Sequence, residues 1–264
     1  MGFIVHQNSS LHYNRVGTGK RVLLLFHGFG QHHKAFDLLT DALAETHTLY
    51  AFDLFFHGES KWPDEKPLEK ATWQEMMAQF FEQTNIDRFG VLGFSMGGKF
   101  ALATVEYFPH RIDHLILLAP DGIKTSFWYS LATYPIVLRS FFKSMILKPG
   151  HLHGLLKFLR TFHLVDAGLI RFAEFQMNTQ EKRERVYYSW VVFRHLKFDL
   201  KKLANLVQNH RIQFTLLIGR YDKIITAQNM NRILRYLPDV KVTLVESGHN
   251  RIIETSISIL QHTL

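Results

Sequence analysis

A serine flanked by glycines, in the run Gly93-Phe94-Ser95-Met96-Gly97, has the setting of a nucleophile. The run follows an apolar strand pattern and opens a helical pattern, which is the strand–turn–helix context of a nucleophile elbow. A serine hydroxyl attacks poorly until a general base accepts its proton and a carboxylate orients that base. His249, in a Gly-His turn, is the candidate base, and Asp222 is the candidate carboxylate. Together these residue types predict attack on a carbonyl carbon.

The remaining groups that such chemistry needs also have candidates. Asp121 follows a strand as Asp222 does, and it is the alternative to Asp222 as the acid. The negative charge that develops on the carbonyl oxygen needs two N–H donors. We expect Met96 N–H to be one donor and Phe29 N–H, in the glycine-containing loop 27–30, to be the other.

The elements that must position these residues alternate between strand and helix. Short apolar or alternating runs predict strands at 11–16, 21–27, 48–52, 88–94, 112–119, 212–218 and 241–245. Periodic apolar spacing predicts helices at 35–45, 72–83, 96–107 and 227–237, with one further helix at the end. Such alternation predicts an α/β fold with a mostly parallel sheet flanked by helices. The carboxyl ends of parallel strands share one edge, so Ser95, Asp222 and His249 should converge there.

The middle of the chain breaks the alternation, because residues 127–207 have a helical pattern throughout. Asn178, three residues before Glu181, predicts the start of a helix that ends at His195. We therefore predict an α/β core interrupted by an all-helical cap, with core residues 1–120 and 206–264 and cap residues 121–205.

The net charge of +8 comes from that same segment, since residues 121–205 carry 14 Lys and Arg but 6 Asp and Glu. Three interpretations remain open. The cations could form solvated helix faces, attract an anionic acyl substrate, or contact anionic lipid, where Arg139 and Lys143 stand among apolar residues in 131–147. Nucleic acid is not an expected partner, because the chain shows no nucleic-acid-binding motif.

Motifs along the whole chain resemble those of the α/β-hydrolase superfamily, in its capped branch. They are H-G-F-G at 27–30, D-x-x-x-H-G-x-S at 53–60, G-F-S-M-G-G at 93–98, G-x-x-D at 219–222 and G-H at 248–249. The resemblance implies the α/β-hydrolase fold, a Ser95–His249–Asp222 triad, and mainly structural roles for Asp53 and His57. Family members usually have glycine where this chain has Phe56. Candidate pocket residues are Phe94, Phe56 and Lys99.

The type of nucleophile distinguishes among relatives. Haloalkane dehalogenases and epoxide hydrolases of this fold use an aspartate at the position of Ser95, so serine favours a carboxylic ester or thioester as substrate. One alternative is a lyase similar to the menaquinone-pathway synthase MenH, or a carbon–carbon bond hydrolase, using the same triad. MenH-type enzymes usually have arginine where Lys99 stands. A second alternative is a ligand-binding protein of this fold without turnover.

Composition limits the cofactors and the location. The chain has no cysteine, which excludes disulfides and thiolate metal sites. The resemblance implies no metal and no organic cofactor, with a small-molecule acyl compound as the substrate. The first residues do not resemble a signal peptide, and no long apolar run predicts a membrane span. We therefore expect a cytoplasmic serine hydrolase.

Overall fold

A computed structural model of the protein describes residues 1–125, 127–165 and 167–264. An eight-stranded sheet has the strand order β1-β2-β4-β3-β5-β6-β7-β8. Its strands are β1 Gly2–His6, β2 Ser9–Val16, β3 Arg21–Phe26, β4 His47–Phe52, β5 Phe89–Phe94, β6 Ile112–Leu118, β7 Gln213–Gly219 and β8 Val242–Val245. Only the β1–β2 and β2–β4 pairings are antiparallel, which confirms the mostly parallel sheet expected from the sequence.

Helices flank the sheet and make up the middle of the chain. They are α1 Asp37–Leu43, α2 Lys70–Thr84, α3 Gly97–Tyr107, α4 Phe127–Thr133, α5 Ile136–Leu147, α6 Pro149–Thr161, α7 Ala167–Gln176, α8 Gln180–Val192, α9 Leu200–Asn209, α10 Ala227–Leu234, α11 Ile252–Thr255 and α12 Ile257–Thr263. The central strands β5 and β6 consist almost wholly of buried residues. A strand buried on both faces needs a continuous apolar run, which is the pattern that these two strands have.

Three local features differ from the sequence expectations. Strand β1 was not expected; it pairs with β2 through a tight turn in which Gln7 has a φ of 52°. Helix α8 is capped by Thr179, whose side chain accepts from Lys182 N–H, so the expected cap at Asn178 is wrong by one residue. The single helix expected at the end is instead two short helices, α11 and α12.

The described chain divides into two compact units. Unit 1 comprises residues 1–63, 69–124 and 196–264 and contains the sheet, whereas unit 2 comprises residues 64–68 and 125–195 and contains helices α4–α8. From the sequence we expected the helical segment to end at residue 205. Helix α9 contacts α3 and α10, so it belongs to unit 1. That the helical segment acts as a cap stays a prediction.

In the described part of the chain, no helix has the length and apolarity that a membrane crossing requires.

Candidate active site

Ser95 lies in a sharp turn between β5 and α3, and its backbone φ is 49°. A left-handed backbone is unfavourable for a residue with a side chain, so packing on both sides must hold it. Two glycines make that packing possible. A Cβ at Gly93 would lie 2.7 Å from Gly97 O, and a Cβ at Gly97 would lie 2.0 Å from Phe26 O. The turn therefore requires glycine at both positions, as the motif indicates.

His249 connects Ser95 to Asp222. Its Nε2 atom lies 2.9 Å from Ser95 Oγ, and its Nδ1 atom lies 2.6 Å from Asp222 Oδ2. A carboxylate can only accept, so Nδ1 carries the proton and Nε2 is left as the acceptor for the serine hydroxyl. The structure thus brings these three residues together from the carboxyl ends of β5, β7 and β8.

Backbone groups hold the Asp222 carboxylate in this orientation. Its Oδ1 atom accepts from Ile224 N–H at 2.8 Å and from Ile225 N–H at 2.9 Å, while Oδ2 faces His249. The loops after β7 and β8 are also joined, since Tyr221 N–H donates to Ser247 O at 3.0 Å. A fixed acid and a fixed loop give His249 a defined position and tautomer.

Asp121, the alternative acid, has a different partner. Its Oδ2 atom lies 3.0 Å from Lys99 Nζ, and its Oδ1 atom accepts from Gly122 N–H at 2.7 Å. Lys99 is only 7% exposed. The structure therefore places Asp222, and not Asp121, on His249, and the Lys99 ammonium already has an internal counter-charge.

The loop that carries Phe29 lies against the nucleophile turn. A Cβ at Gly28 would come within 2.7 Å of the Phe94 ring, and that ring lies 5.2 Å from the His249 ring between centroids. Met96 directly follows Ser95 and precedes α3, at the helix end whose N–H groups favour negative charge. The candidate pocket residue Phe94 thus contacts both the expected oxyanion loop and the base.

Two imidazoles, His27 and His57, join the loop 28–30 to the loop that follows β4. His27 Nε2 accepts from Leu54 N–H at 2.9 Å, and His57 Nε2 accepts from Gly30 N–H at 2.9 Å. In both residues Nδ1 lies next to a backbone carbonyl, so each ring is a neutral Nδ1–H tautomer. Burial lowers the pKa of His27 to about 4. The hydrogen bond to Gly28 O acts to raise this pKa, but its effect is smaller than that of burial.

This cross-connection was missed from the sequence, although both histidines stand in the quoted motifs. The only sequence signal is that each histidine adjoins a glycine in a loop after a strand. Phe56 has a φ of 68°, a left-handed backbone that the glycine usual at this position would adopt more easily. The left-handed backbone at this position therefore explains why family members usually have glycine where this chain has Phe56.

A buried cluster of His12, His33 and Asp53 lies behind the same loop, and its ligand types could hold a metal ion. The Nδ1 atoms of His12 and His33 lie 2.9 Å from the two Asp53 oxygens. Two ligands of a tetrahedral zinc ion, each about 2.0 Å from the metal, would lie about 3.3 Å apart. The observed 2.9 Å between each imidazole nitrogen and its Asp53 oxygen is shorter, so it indicates hydrogen bonds between these groups and not shared coordination of a zinc ion.

The Asp53 carboxylate is ionised. Burial acts to raise its pKa, but hydrogen bonds from Glu59 N–H and His33 N–H outweigh that effect and lower the pKa to about 2. A Cβ at Gly58, which has a φ of 53°, would lie 2.1 Å from Asp53 Oδ2. The carboxylate thus organises the loop after β4, on which His57 is carried.

Comparison with known proteins agrees with this architecture. A family model described as alpha/beta hydrolase fold matches residues 21–255. A dihydrolipoyllysine-residue acetyltransferase component of an acetoin cleaving system, from Cupriavidus necator, is 34% identical over 110 residues, which are 42% of this chain and 29% of that protein. The matched stretches span only about a third of the curated relatives' length.

Solved structures resemble nearly the whole chain at low identity. An esterase from Thermogutta terrifontis has a TM-score of 0.68 at 18% identity, covering 97% of this chain and 91% of its own. A meta-cleavage product hydrolase from Pseudomonas fluorescens has a TM-score of 0.66 at 19% identity, covering 99% and 96%. Likeness at this identity establishes the shared fold.

Proposed function

This chain belongs to the alpha/beta hydrolase fold family, and from that premise we propose that it is a serine hydrolase that cleaves a carboxylic ester or thioester. One observation carries the proposal: Ser95 Oγ, the His249 ring and the Asp222 carboxylate form a continuous hydrogen-bonded chain with separations of 2.9 and 2.6 Å. A serine nucleophile requires this order of groups, because the base must accept from the serine while the acid fixes its tautomer.

The geometry supports an acyl-enzyme mechanism. His249 Nε2 accepts the Ser95 proton as Oγ bonds to the carbonyl carbon, and the carbonyl oxygen becomes negatively charged. Phe29 N–H and Met96 N–H donate to that oxygen. His249 then protonates the leaving alcohol or thiol, which gives the acyl-enzyme on Ser95. Water, deprotonated by His249, attacks the acyl carbon and releases the acid, and the proton returns to Ser95.

Two observations bear on the choice of substrate class. The esterase among the structural neighbours supports an ester as substrate. The meta-cleavage product hydrolase among them supports the alternative, which is hydrolysis of a carbon–carbon bond by the same triad. A lyase of the MenH type would have a cation available for a substrate carboxylate after its G-x-S-M-G-G motif. Here that cation is Lys99, which is buried and paired with Asp121. The pairing favours acyl hydrolysis over the lyase.

Labelling with a fluorophosphonate probe tests the proposal. The probe should bond to Ser95 in the wild-type protein and in a Ser140→Ala control, which changes an exposed serine, and it should not label Ser95→Ala. A folded wild-type protein that resists the probe, or a Ser95→Ala variant that still reacts, contradicts the proposal. A panel of esters and thioesters of graded length, some anionic, at two salt concentrations then identifies the acyl group.

A further inference from the structure

Helices α5 and α6, together with Phe162 directly after α6, expose large apolar side chains that a folded protein normally buries. Six of them are between 43% and 79% exposed: Ile136, Val137, Phe141, Leu147, Phe158 and Phe162. We call these six residues, with the basic residues among them, the α5–α6 surface. A set of apolar side chains this large on one surface indicates an interaction site.

The core of unit 2 already uses the other faces of the two helices. In α5, Phe142, Met145 and Ile146 are buried, and the Phe142 ring lies 5.3 Å from the Tyr187 ring of α8. In α6, Leu152 and Leu156 are buried one turn apart. Each helix therefore has an inner apolar face that packs in the core of unit 2. Its outer face also carries apolar side chains, which the core does not bury.

The outer faces of α5 and α6 form one surface. The Phe141 ring stacks on the His151 ring at 5.7 Å, and Ser144 Oγ lies 2.8 Å from His151 Nδ1. His151, Phe158 and Phe162 are spaced by seven and four residues, so they follow the same side of α6. The Phe158 and Phe162 rings are 4.7 Å apart. The aromatic strip thus runs from the outer face of α5 along α6.

The charged residues of α5, α6 and the turns beside them are all basic. Residues 136–164 contain five Lys and Arg and no Asp or Glu: Arg139, Lys143, Lys148, Lys157 and Arg160. Two of them have acidic partners elsewhere in unit 2, since Lys143 pairs with Glu65 and Arg160 lies 3.0 Å from Glu174. Lys148 and Lys157 are exposed. The exposed rings and two exposed cations thus belong to the same segment of the chain.

We propose that the α5–α6 surface docks on a membrane of anionic phospholipid, with its apolar side chains in the boundary between headgroups and acyl chains. Apolar rings bordered by Lys and Arg are the composition of a helix that lies in this interface. The helices contain 12 and 13 residues, about 18 to 20 Å, so they are too short to cross a bilayer and long enough to lie on one.

The charge also disfavours a second copy of the chain as the occupant. In a symmetric dimer the same patch occurs on both partners, so the exposed cations Lys148 and Lys157 would recur on both sides of the interface. An anionic lipid surface complements both the charge and the apolar rings, and it requires no matching shape. The lipid surface is therefore the occupant that fits.

Vesicle sedimentation with the full chain tests this surface and does not depend on catalysis. We expect binding to vesicles with about 30% phosphatidylglycerol, weaker binding to pure phosphatidylcholine, and loss of binding at high salt. Replacing both Lys148 and Lys157 with Ala should lower the partition coefficient about 30-fold, since each cation near such a surface contributes about fivefold. Phe158→Ser with Phe162→Ser should lower it at least about tenfold.

Matched controls come from unit 1. Lys241→Ala removes an exposed cation and Leu38→Ser removes an apolar side chain that is 59% exposed, and both should bind as the wild type does. Circular dichroism confirms that every variant is folded. Equal binding to neutral and anionic vesicles, or an equal loss in the controls, contradicts the proposal. So does a dimer, found by light scattering, that Phe158→Ser disrupts while vesicle binding is absent.

Discussion

Replacing Asp222 with Asn removes one charge and preserves the shape of the side chain, so it tests the assignment of the acid. Asp222 Oδ1 accepts from two backbone N–H groups, those of Ile224 and Ile225. In the variant, the one amide oxygen must stay in the Oδ1 position, because both N–H groups need an acceptor. The amide N–H₂ group then replaces Oδ2 and faces Nδ1 of His249.

This orientation reverses the tautomer of the base. Nδ1 has to accept from the amide, so the proton lies on Nε2, which is 2.9 Å from Ser95 Oγ. A protonated Nε2 cannot accept the serine proton. We expect kcat to fall about 10⁴-fold, the loss that this reversal causes in serine proteases. At 1.36 kcal/mol for each factor of ten, the variant loses about 5 kcal/mol of transition-state stabilisation.

Asp121→Asn is the matched control, because it makes the same change at the other candidate acid. This carboxylate pairs with Lys99 and not with His249, so kcat should stay within about threefold of the wild type. Its free energy of unfolding should fall by about 1 to 3 kcal/mol, since buried Lys99 loses its counter-charge. Steady-state hydrolysis of p-nitrophenyl esters and urea unfolding measure the two quantities.

The reasoning is refuted if Asp222→Asn keeps more than about a tenth of the wild-type kcat while folded. A thousandfold loss in Asp121→Asn, with little effect of Asp222→Asn, would assign the acid to Asp121 instead.

The remaining predictions concern the loops and the sheet. His57→Ala removes the acceptor of Gly30 N–H and should lower kcat about 10- to 100-fold with KM nearly unchanged, while His57→Gln, which keeps an acceptor, should restore part of the rate. Asp53→Asn leaves one backbone donor, that of His33 or of Glu59, without its acceptor and should lower the free energy of unfolding by about 1 to 3 kcal/mol, against little change for exposed Asp113→Asn. Burial lowers the pKa of His114 to about 4, so the stability that neutral His114 contributes is complete above about pH 6.5 and is lost as the pH falls toward 4. Between about pH 7.5 and 4.5, the free energy of unfolding measured in urea should fall by about 2 to 3 kcal/mol less in His114→Gln than in the wild type. An equal fall in the two proteins would contradict the burial argument.

Most of the sheet and the convergence of Ser95, Asp222 and His249 could be predicted, because both follow from local signals. Buried parallel strands are continuous apolar runs, and loops after such strands meet at one edge. Strand β1 lacked such a signal. It is five residues long, and its hairpin turn contains Gln7 and Asn8 and not the glycine that usually marks a tight turn. The cap of α8 was displaced because Asn178 and Thr179 are both good N-caps.

Contacts between distant loops could not be predicted. His27 reaches Leu54, and His57 reaches Gly30, each across 27 residues. A loop histidine can form hydrogen bonds with many different groups. Which group it bonds to depends on where the sheet places the two loops. The pairing of Lys99 with Asp121 is of the same kind, since it joins a helix to the loop after the next strand.

Rapid-quench kinetics with an activated ester, followed by intact-protein mass spectrometry, test the central claim most directly. We predict a burst of alcohol release equal to the concentration of enzyme, together with an acyl adduct that peptide mapping places on Ser95. The adduct should be absent from Ser95→Ala. Turnover of the ester without a burst and without any adduct on Ser95, under conditions where deacylation is slow, would contradict the acyl-enzyme mechanism.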